Sequence, residues 1–165
     1  MKSVRPILLG LVLAAGLAFT LAGAQEKEGH HGGLQLSPEL MELLRSEMRA
    51  LLAGVQSLPV GIATGDWEGV SETSKRISSS YILDQKLTPA QRRELATALP
   101  DYFKKLDAAF HREADKLGAA AVGRDAQLAA FHYYRLIETC TTCHSTYAAS
   151  RFPGFAADGK ASHGH

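Results

Sequence analysis

Three residues near the carboxyl end of the sequence have the types and the spacing of a cofactor attachment site. Cys140 and Cys143 are the two cysteines of the chain, and His144 follows the second one directly. The pattern Cys-x-x-Cys-His is typical of covalent c-type haem attachment. One helical turn between the thiols would let both reach the vinyl groups on one edge of a porphyrin, and the adjacent imidazole could ligate the iron. The sequence therefore predicts one covalently attached haem c per chain, with His144 as its proximal ligand.

Three other uses of this cysteine pair have less support. A dithiol redox motif is expected after a strand and before a helix, a context that the sequence does not show. A zinc site would need two further ligands, and no second Cys-x-x-Cys or His-x-x-x-His pattern follows. A disulfide that closes so short a loop would add little stability. Since no nucleophile–base pair or carboxylate pair is found either, we predict that the protein is not an enzyme.

The first 24 residues have the features of a secretory signal peptide. Two basic residues precede an apolar run over residues 7–22, and small residues at 22–24 form a cleavage site. An uncleaved membrane anchor is the alternative, because the apolar run approaches the length that spans a bilayer. We predict cleavage after Ala24, export to a bacterial periplasm and no stable membrane span afterwards. An oxidising compartment outside the cytosol is compatible with covalent haem attachment.

Charge and composition give the domain organisation. The formal net charge is +1, and a near-neutral chain has no electrostatic footprint for nucleic acid. After the signal peptide at 1–24 we predict a disordered leader at 25–36, one domain at 37–155 and a disordered tail at 156–165. The leader and the tail contain histidines, which could bind metal only weakly.

Within the domain, four long amphipathic helices and one short helix are predicted to position the motif. The first begins at Ser37 and carries apolar residues at alternating spacings of three and four. These are Met41, Leu44, Met48, Leu51, Val55, Leu58 and Ile62. The second should run from Asp66 to residues 84–86, and Thr88 should open the short helix. The third should begin after Pro100.

The fourth helix, capped by Asp125, carries the haem motif near its end. The pattern therefore predicts an all-α fold, an antiparallel four-helix bundle with its cofactor site in the core and near one end.

This layout resembles the class II c-type cytochromes, the cytochrome c prime family, over about residues 37–155. The resemblance rests on the four-helix layout with Cys-x-x-Cys-His near the carboxyl end. Particular similarities are Ala-Thr-Gly-Asp at 63–66, the run from Phe110 to Leu117 and the segment 139–147. The sequence departs from the family at Ala148, where a basic residue is common.

In that family, the side chain at the sixth coordination position of the iron distinguishes two functions. A first-helix methionine that ligates the iron gives a one-electron carrier, and methionine ligation raises the reduction potential. An apolar residue there leaves a five-coordinate haem that binds NO or CO. Met48 is the candidate distal ligand, although a methionine at stripe spacing is more often core filler. Met41 is a weaker candidate, and otherwise Leu44, Leu51 or Leu52 would cover the distal face.

The resemblance therefore implies a periplasmic monohaem cytochrome that exchanges one electron with periplasmic redox partner proteins. A five-coordinate cytochrome that binds small gases is the alternative. A homodimer could also form through an apolar patch on the first two helices, as in some relatives. Of the two histidines inside the domain, we expect His111 to be partly exposed and His132 to pack or hydrogen-bond.

Overall fold

The computed structural model describes residues 33–155, apart from the side chains of Asp84 and Gln85. This part of the chain is all-helical and has no strand, and five of its helices pack together. The prediction of an all-α fold is confirmed. The predicted signal peptide, most of the leader and the predicted tail lie outside the described residues.

The helices of the described residues are, in chain order, α1 (Pro38–Thr64), α2 (Trp67–Ser78), α3 (Leu83–Lys86), α4 (Pro89–Ala98), α5 (Asp101–Val122) and α6 (Ala126–Tyr147), followed by a 3₁₀ turn (Pro153–Phe155). None of them is long and apolar enough to cross a membrane.

Side-chain caps begin four of these helices where the sequence predicts them. The side chains of Ser37, Asp66 and Asp125 each accept a hydrogen bond from a backbone N–H three residues later. Thr88 and Gln91 form a reciprocal capping box at the start of α4. The first N–H groups of a helix have no partner within it, so these caps fix where each helix starts.

The second helix ends earlier than the sequence predicts. It stops at Ser78, because Ser80 adopts a left-handed backbone with φ of 58°, so the predicted end at residues 84–86 is wrong. Glu47 of α1 holds the connection that follows. Its carboxylate accepts hydrogen bonds from the Ser80 hydroxyl and from the backbone N–H groups of residues 81–83, at 2.5–3.2 Å.

The buried stripe of α1 differs from the predicted one in the first half of the helix, where Leu40 and Glu47 are buried in place of Met41 and Met48. Leu44, Leu51, Val55 and Leu58 are buried as predicted, and Met41 and Ile62 are half-buried. Met48 is 38% exposed, whereas the neighbouring Glu47 is only 2% exposed. Glu47 occupies the buried position because its hydrogen-bond donors lie on that side of the helix.

Helices α1 and α2 run antiparallel, as do α2 and α5. The first half of α1 reaches residues 80–83 through Glu47, while Gly61 near its end lies beside Val70 near the start of α2. The ring of His111 contacts the carbonyl oxygen of Ile77 at 2.8 Å. Gly118, two turns further along α5, lies beside residues 71–74 of α2.

Helices α5 and α6 are also antiparallel neighbours. Phe103, near the start of α5, contacts Tyr147 at the end of α6, with ring centroids 5.4 Å apart. Further along, Glu113 of α5 is hydrogen-bonded to His132 of α6. The carboxyl-terminal half of α6 therefore lies beside the amino-terminal half of α5.

The main apolar cluster fills one half of the described structure. It draws on the second half of α1, on α2, on α5 from Phe110 onwards and on the first half of α6. Its buried members are Leu51, Val55, Leu58, Val70, Ile77, Phe110, Ala114, Leu117, Ala120, Ala121, Ala129 and Leu136. The second half of α6, which carries the motif, contributes only partly buried residues at its margin, Ile137 and Cys140.

Candidate haem-attachment site

The three predicted attachment residues lie on one strip of α6. Cys140, Cys143 and His144 are related as i, i+3 and i+4, positions that share one face of a helix. All three residues are half-buried, and both cysteines are free thiols. Two sulfurs and one imidazole thus project from consecutive turns of a single regular helix.

The electrostatics of this strip favour uncharged groups. Burial raises the pKa of the Cys140 thiol to about 11. The pKa of Cys143 is also raised to about 11, chiefly by burial and then by the nearby Cys140 and Asp107. Burial lowers the pKa of His144, because a low-dielectric environment disfavours the charged imidazolium. A neutral imidazole is the form that ligates metals.

Within residues 33–155, no group of three or more His, Cys, Asp or Glu side chains could hold a metal ion. A zinc site in particular would require four ligands, with its cysteines as thiolates. Two protonated thiols and one neutral imidazole instead fit a cofactor that brings its own equatorial ligands. A porphyrin iron, which takes its proximal ligand from a histidine, is such a cofactor. The residues present therefore fit a covalently attached haem.

Aromatic rings border the strip where α5 meets the end of α6. The ring of Phe103 is buried and meets the ring of Tyr147 edge to face, at an interplanar angle of 68°. Cys140 packs against the main apolar cluster. The site is thus apolar on two sides.

After α6 the chain folds back over the motif. The carbonyl oxygen of Ala148 accepts hydrogen bonds from the backbone N–H groups of Arg151 and Phe152, at 2.9 and 3.0 Å. This turn stacks the ring of Phe152 on that of His144, with centroids 4.5 Å apart and planes inclined by 22°. Nothing in the sequence near Phe152 predicts this contact, although the Pro-Gly pair at 153–154 is typical of a turn.

The first half of α1 lies at the same end of the molecule as the motif. Gly33, just before α1, approaches the carbonyl oxygen of Tyr147 at the end of α6. Helix α1 packs less extensively against α6 than against α2.

Helical geometry indicates on which side of α1 Met48 lies. Glu47, Gly54 and Gly61 share the flank of α1 that contacts α2 and the connection after it. Met48 is rotated by about 100° from Glu47 around the helix axis, so it lies with Met41 on the other side of the buried stripe, since residues seven apart share a face of a helix. Met48 thus lies away from α2 and at the motif end, and its 38% exposure means that the described residues do not bury it.

The side chains of the other two histidines of the domain, His111 and His132, are hydrogen-bonded within the fold. His111 is half-buried, and its Nδ1 lies 2.8 Å from the carbonyl oxygen of Ile77. His132 is 8% exposed, and its Nδ1–H donates to the Glu113 carboxylate at 2.7 Å. Both rings therefore take part in packing α5 against its neighbours.

Comparison of the chain with protein-family models, with curated proteins and with solved structures found no match. The resemblance noted in the sequence rests on the motif and on the order of the helices.

Proposed function

We propose that the protein is an exported monohaem c-type cytochrome of class II that carries one electron. Cys140 and Cys143 would hold the haem through thioether bonds, and His144 would be its proximal ligand. Helices α1, α2, α5 and α6 would form an antiparallel four-helix bundle around it. One observation carries the proposal: the three side chains share a half-buried strip of α6 at the end where the main apolar cluster stops.

The burial pattern of α6 supports a large apolar group at this end. Residues 137–149 are all half-buried except Thr141, which is exposed. The three fully buried residues of the helix, Ala129, His132 and Leu136, all precede them. Because removing apolar surface from water is favourable, a porphyrin beside this strip would complete the core. Bundles commonly build cofactor sites in such a core.

The carrier function depends on what covers the second face of the iron. The bound haem would supply one-electron redox chemistry, while the chain holds it, ligates it and excludes water. Met48 supports the carrier, because its thioether lies at the motif end on the flank away from α2. The buried Leu44, one turn earlier, supports the alternative in which an apolar side chain covers a five-coordinate, gas-binding haem.

Haem attachment is tested by producing the full chain in a host competent in cytochrome maturation. We expect a coloured protein that keeps its haem after denaturation and organic extraction, because thioether bonds survive both. The double variant C140A/C143A should lose the covalently bound haem completely, measured by haem staining and intact mass. A wild-type chain that is folded, colourless and has two free thiols would overturn the proposal.

The sixth ligand is tested by the variant M48L, with M41L as the matched control on the same flank of α1. If Met48 ligates the iron, the wild type is low-spin and does not bind CO. M48L then becomes high-spin and binds CO, whereas M41L keeps the wild-type visible spectrum. A wild type that is already high-spin and binds CO would favour the gas-binding cytochrome over the carrier.

A further inference from the structure

Backbone hydrogen bonds hold Phe152 in the position where its ring stacks on the imidazole of His144. Its own N–H donates to Ala148, and its carbonyl oxygen accepts from the N–H of Phe155 at 2.9 Å. Pro153 follows directly and begins the 3₁₀ turn. Since proline fixes its own φ and restricts the residue before it, the backbone of Phe152 has little freedom.

The stacking geometry leaves the edge of the imidazole open. With the two planes 22° apart, the phenyl ring covers a face of the imidazole, whereas the ring nitrogens that bind metals lie at its edge. The contact with Phe152 is therefore compatible with iron ligation by His144. Phe152 itself is 37% exposed, so it stands between His144 and solvent.

A metal-binding histidine is usually oriented by a hydrogen bond to its second ring nitrogen. Among residues 33–155, no protein group is hydrogen-bonded to the ring of His144. The ring of His144 is instead stacked against the phenyl ring of Phe152. Aromatic pairs have preferred geometries and thereby restrict rotation of the ring that they contact.

We propose that Phe152 is a positioning residue for His144: its ring sets the plane of the imidazole and shields one face of it from water. The inference rests on the proposed function, because it concerns the proximal ligand of the haem. By this inference, the turn after α6 orients that ligand, although the turn lies outside the Cys-x-x-Cys-His motif.

The test compares ring and non-ring residues at position 152 in the haem-loaded protein. The electron paramagnetic resonance spectrum of the ferric protein reports the orientation of the axial imidazole. We expect one sharp set of g values for the wild type and for F152Y, which keeps the ring. F152A and F152L, which lack it, should lose this single set and show a broadened or additional one.

Phe155 provides the matched control, since it lies in the same turn and is 41% exposed but has no described contact with His144. F155A should give the wild-type g values. If F152A does not accumulate as folded protein, F152L, which keeps most of the apolar volume, decides the matter. Wild-type g values in F152L would overturn the role of Phe152, as would the same change in F155A.

The two proposals fail in different ways. A wild-type protein without covalent haem removes the proposed function before any variant at position 152 is made. A haem-loaded wild type whose spectrum is unaffected by F152L removes only the inference about Phe152.

Discussion

The two ends of the molecule are held together differently. At the end away from the motif, α2, the second half of α5 and the first half of α6 share an apolar cluster that includes Ile77, Leu117 and Leu136, all 0% exposed. At the motif end, Leu40, Leu44, Leu99 and Phe103 are also buried, but they lie outside this cluster, and hydrogen bonds and a ring pair connect the elements there. Ser37 donates from both its backbone N–H and its hydroxyl to Glu94, and Glu47 accepts four hydrogen bonds.

The difference indicates where stability and function reside. Apolar burial is non-directional and scales with area, so the packed end can supply most of the folding free energy. Hydrogen bonds and ring contacts contribute less each, but they fix positions. The contacts of the motif end thus hold the start of α1, the connection after α2 and the end of α6 in place.

The largest effect on stability is expected from truncating the packed end. L117A removes most of a side chain that is 0% exposed, and such changes cost about 2–5 kcal/mol through lost burial and the cavity left behind. Urea unfolding monitored by circular dichroism measures this. The visible spectrum of the haem-loaded variant should stay that of the wild type, because Leu117 lies in the half without the motif.

L128A is the matched control, since Leu128 is 43% exposed and lies in the first half of α6. We expect it to cost less than about 1 kcal/mol, as for other exposed positions. If L117A cost no more than L128A, or if it altered the visible spectrum, the division of the molecule into two differently held ends would be wrong.

The next largest effect is expected at the polar connection of the motif end. E47Q puts an NH₂ group where a carboxylate oxygen now accepts two hydrogen bonds, so buried backbone N–H groups would face another donor. Leaving buried donors unsatisfied costs about 1–3 kcal/mol. The free energy of unfolding in urea should fall by about that amount.

E42Q provides the comparison on the same helix. Glu42 is exposed and pairs with Arg49 at 2.8 Å, an arrangement that usually contributes little. A loss of stability in E42Q equal to that in E47Q would mean that the hydrogen bonds of Glu47 have no special weight.

The same division explains what could be predicted from the sequence. Helix starts follow from local chemistry, so Asp66 and Asp125 could be recognised as caps, and the spacing of Cys140, Cys143 and His144 is a local pattern too. The long-range contacts at the motif end have no such signal.

A glutamate between apolar residues is normally expected to be exposed. Glu47 is buried because a connection more than 30 residues away supplies its donors, and this also displaces Met48 from the buried stripe. Likewise, nothing local indicates that Phe152 folds back onto His144. Periodicity thus predicts the packed end well, whereas the motif end depends on contacts between distant parts of the chain.

The smallest effect on stability is expected from replacing Glu113, whose carboxylate makes polar contacts within the packed end. Burial raises the pKa of Glu113, but hydrogen bonds from Lys116 and His132, both 2.7 Å long, offset this, and the net result is a pKa below its usual value of 4.5. A carboxylate whose pKa is lowered in the folded state contributes stability that is complete at pH values above its pKa in the unfolded state. This contribution is lost as the pH falls through its pKa in the folded state.

E113Q should therefore be less stable than the wild type by about 1 kcal/mol near neutral pH, and the difference should shrink below about pH 4.5. Urea unfolding at a series of pH values measures it, with the exposed E42Q as the comparison. A difference between wild type and E113Q that stays constant down to pH 3 would show that the contribution of Glu113 to the packing of α5 against α6 does not depend on its charge.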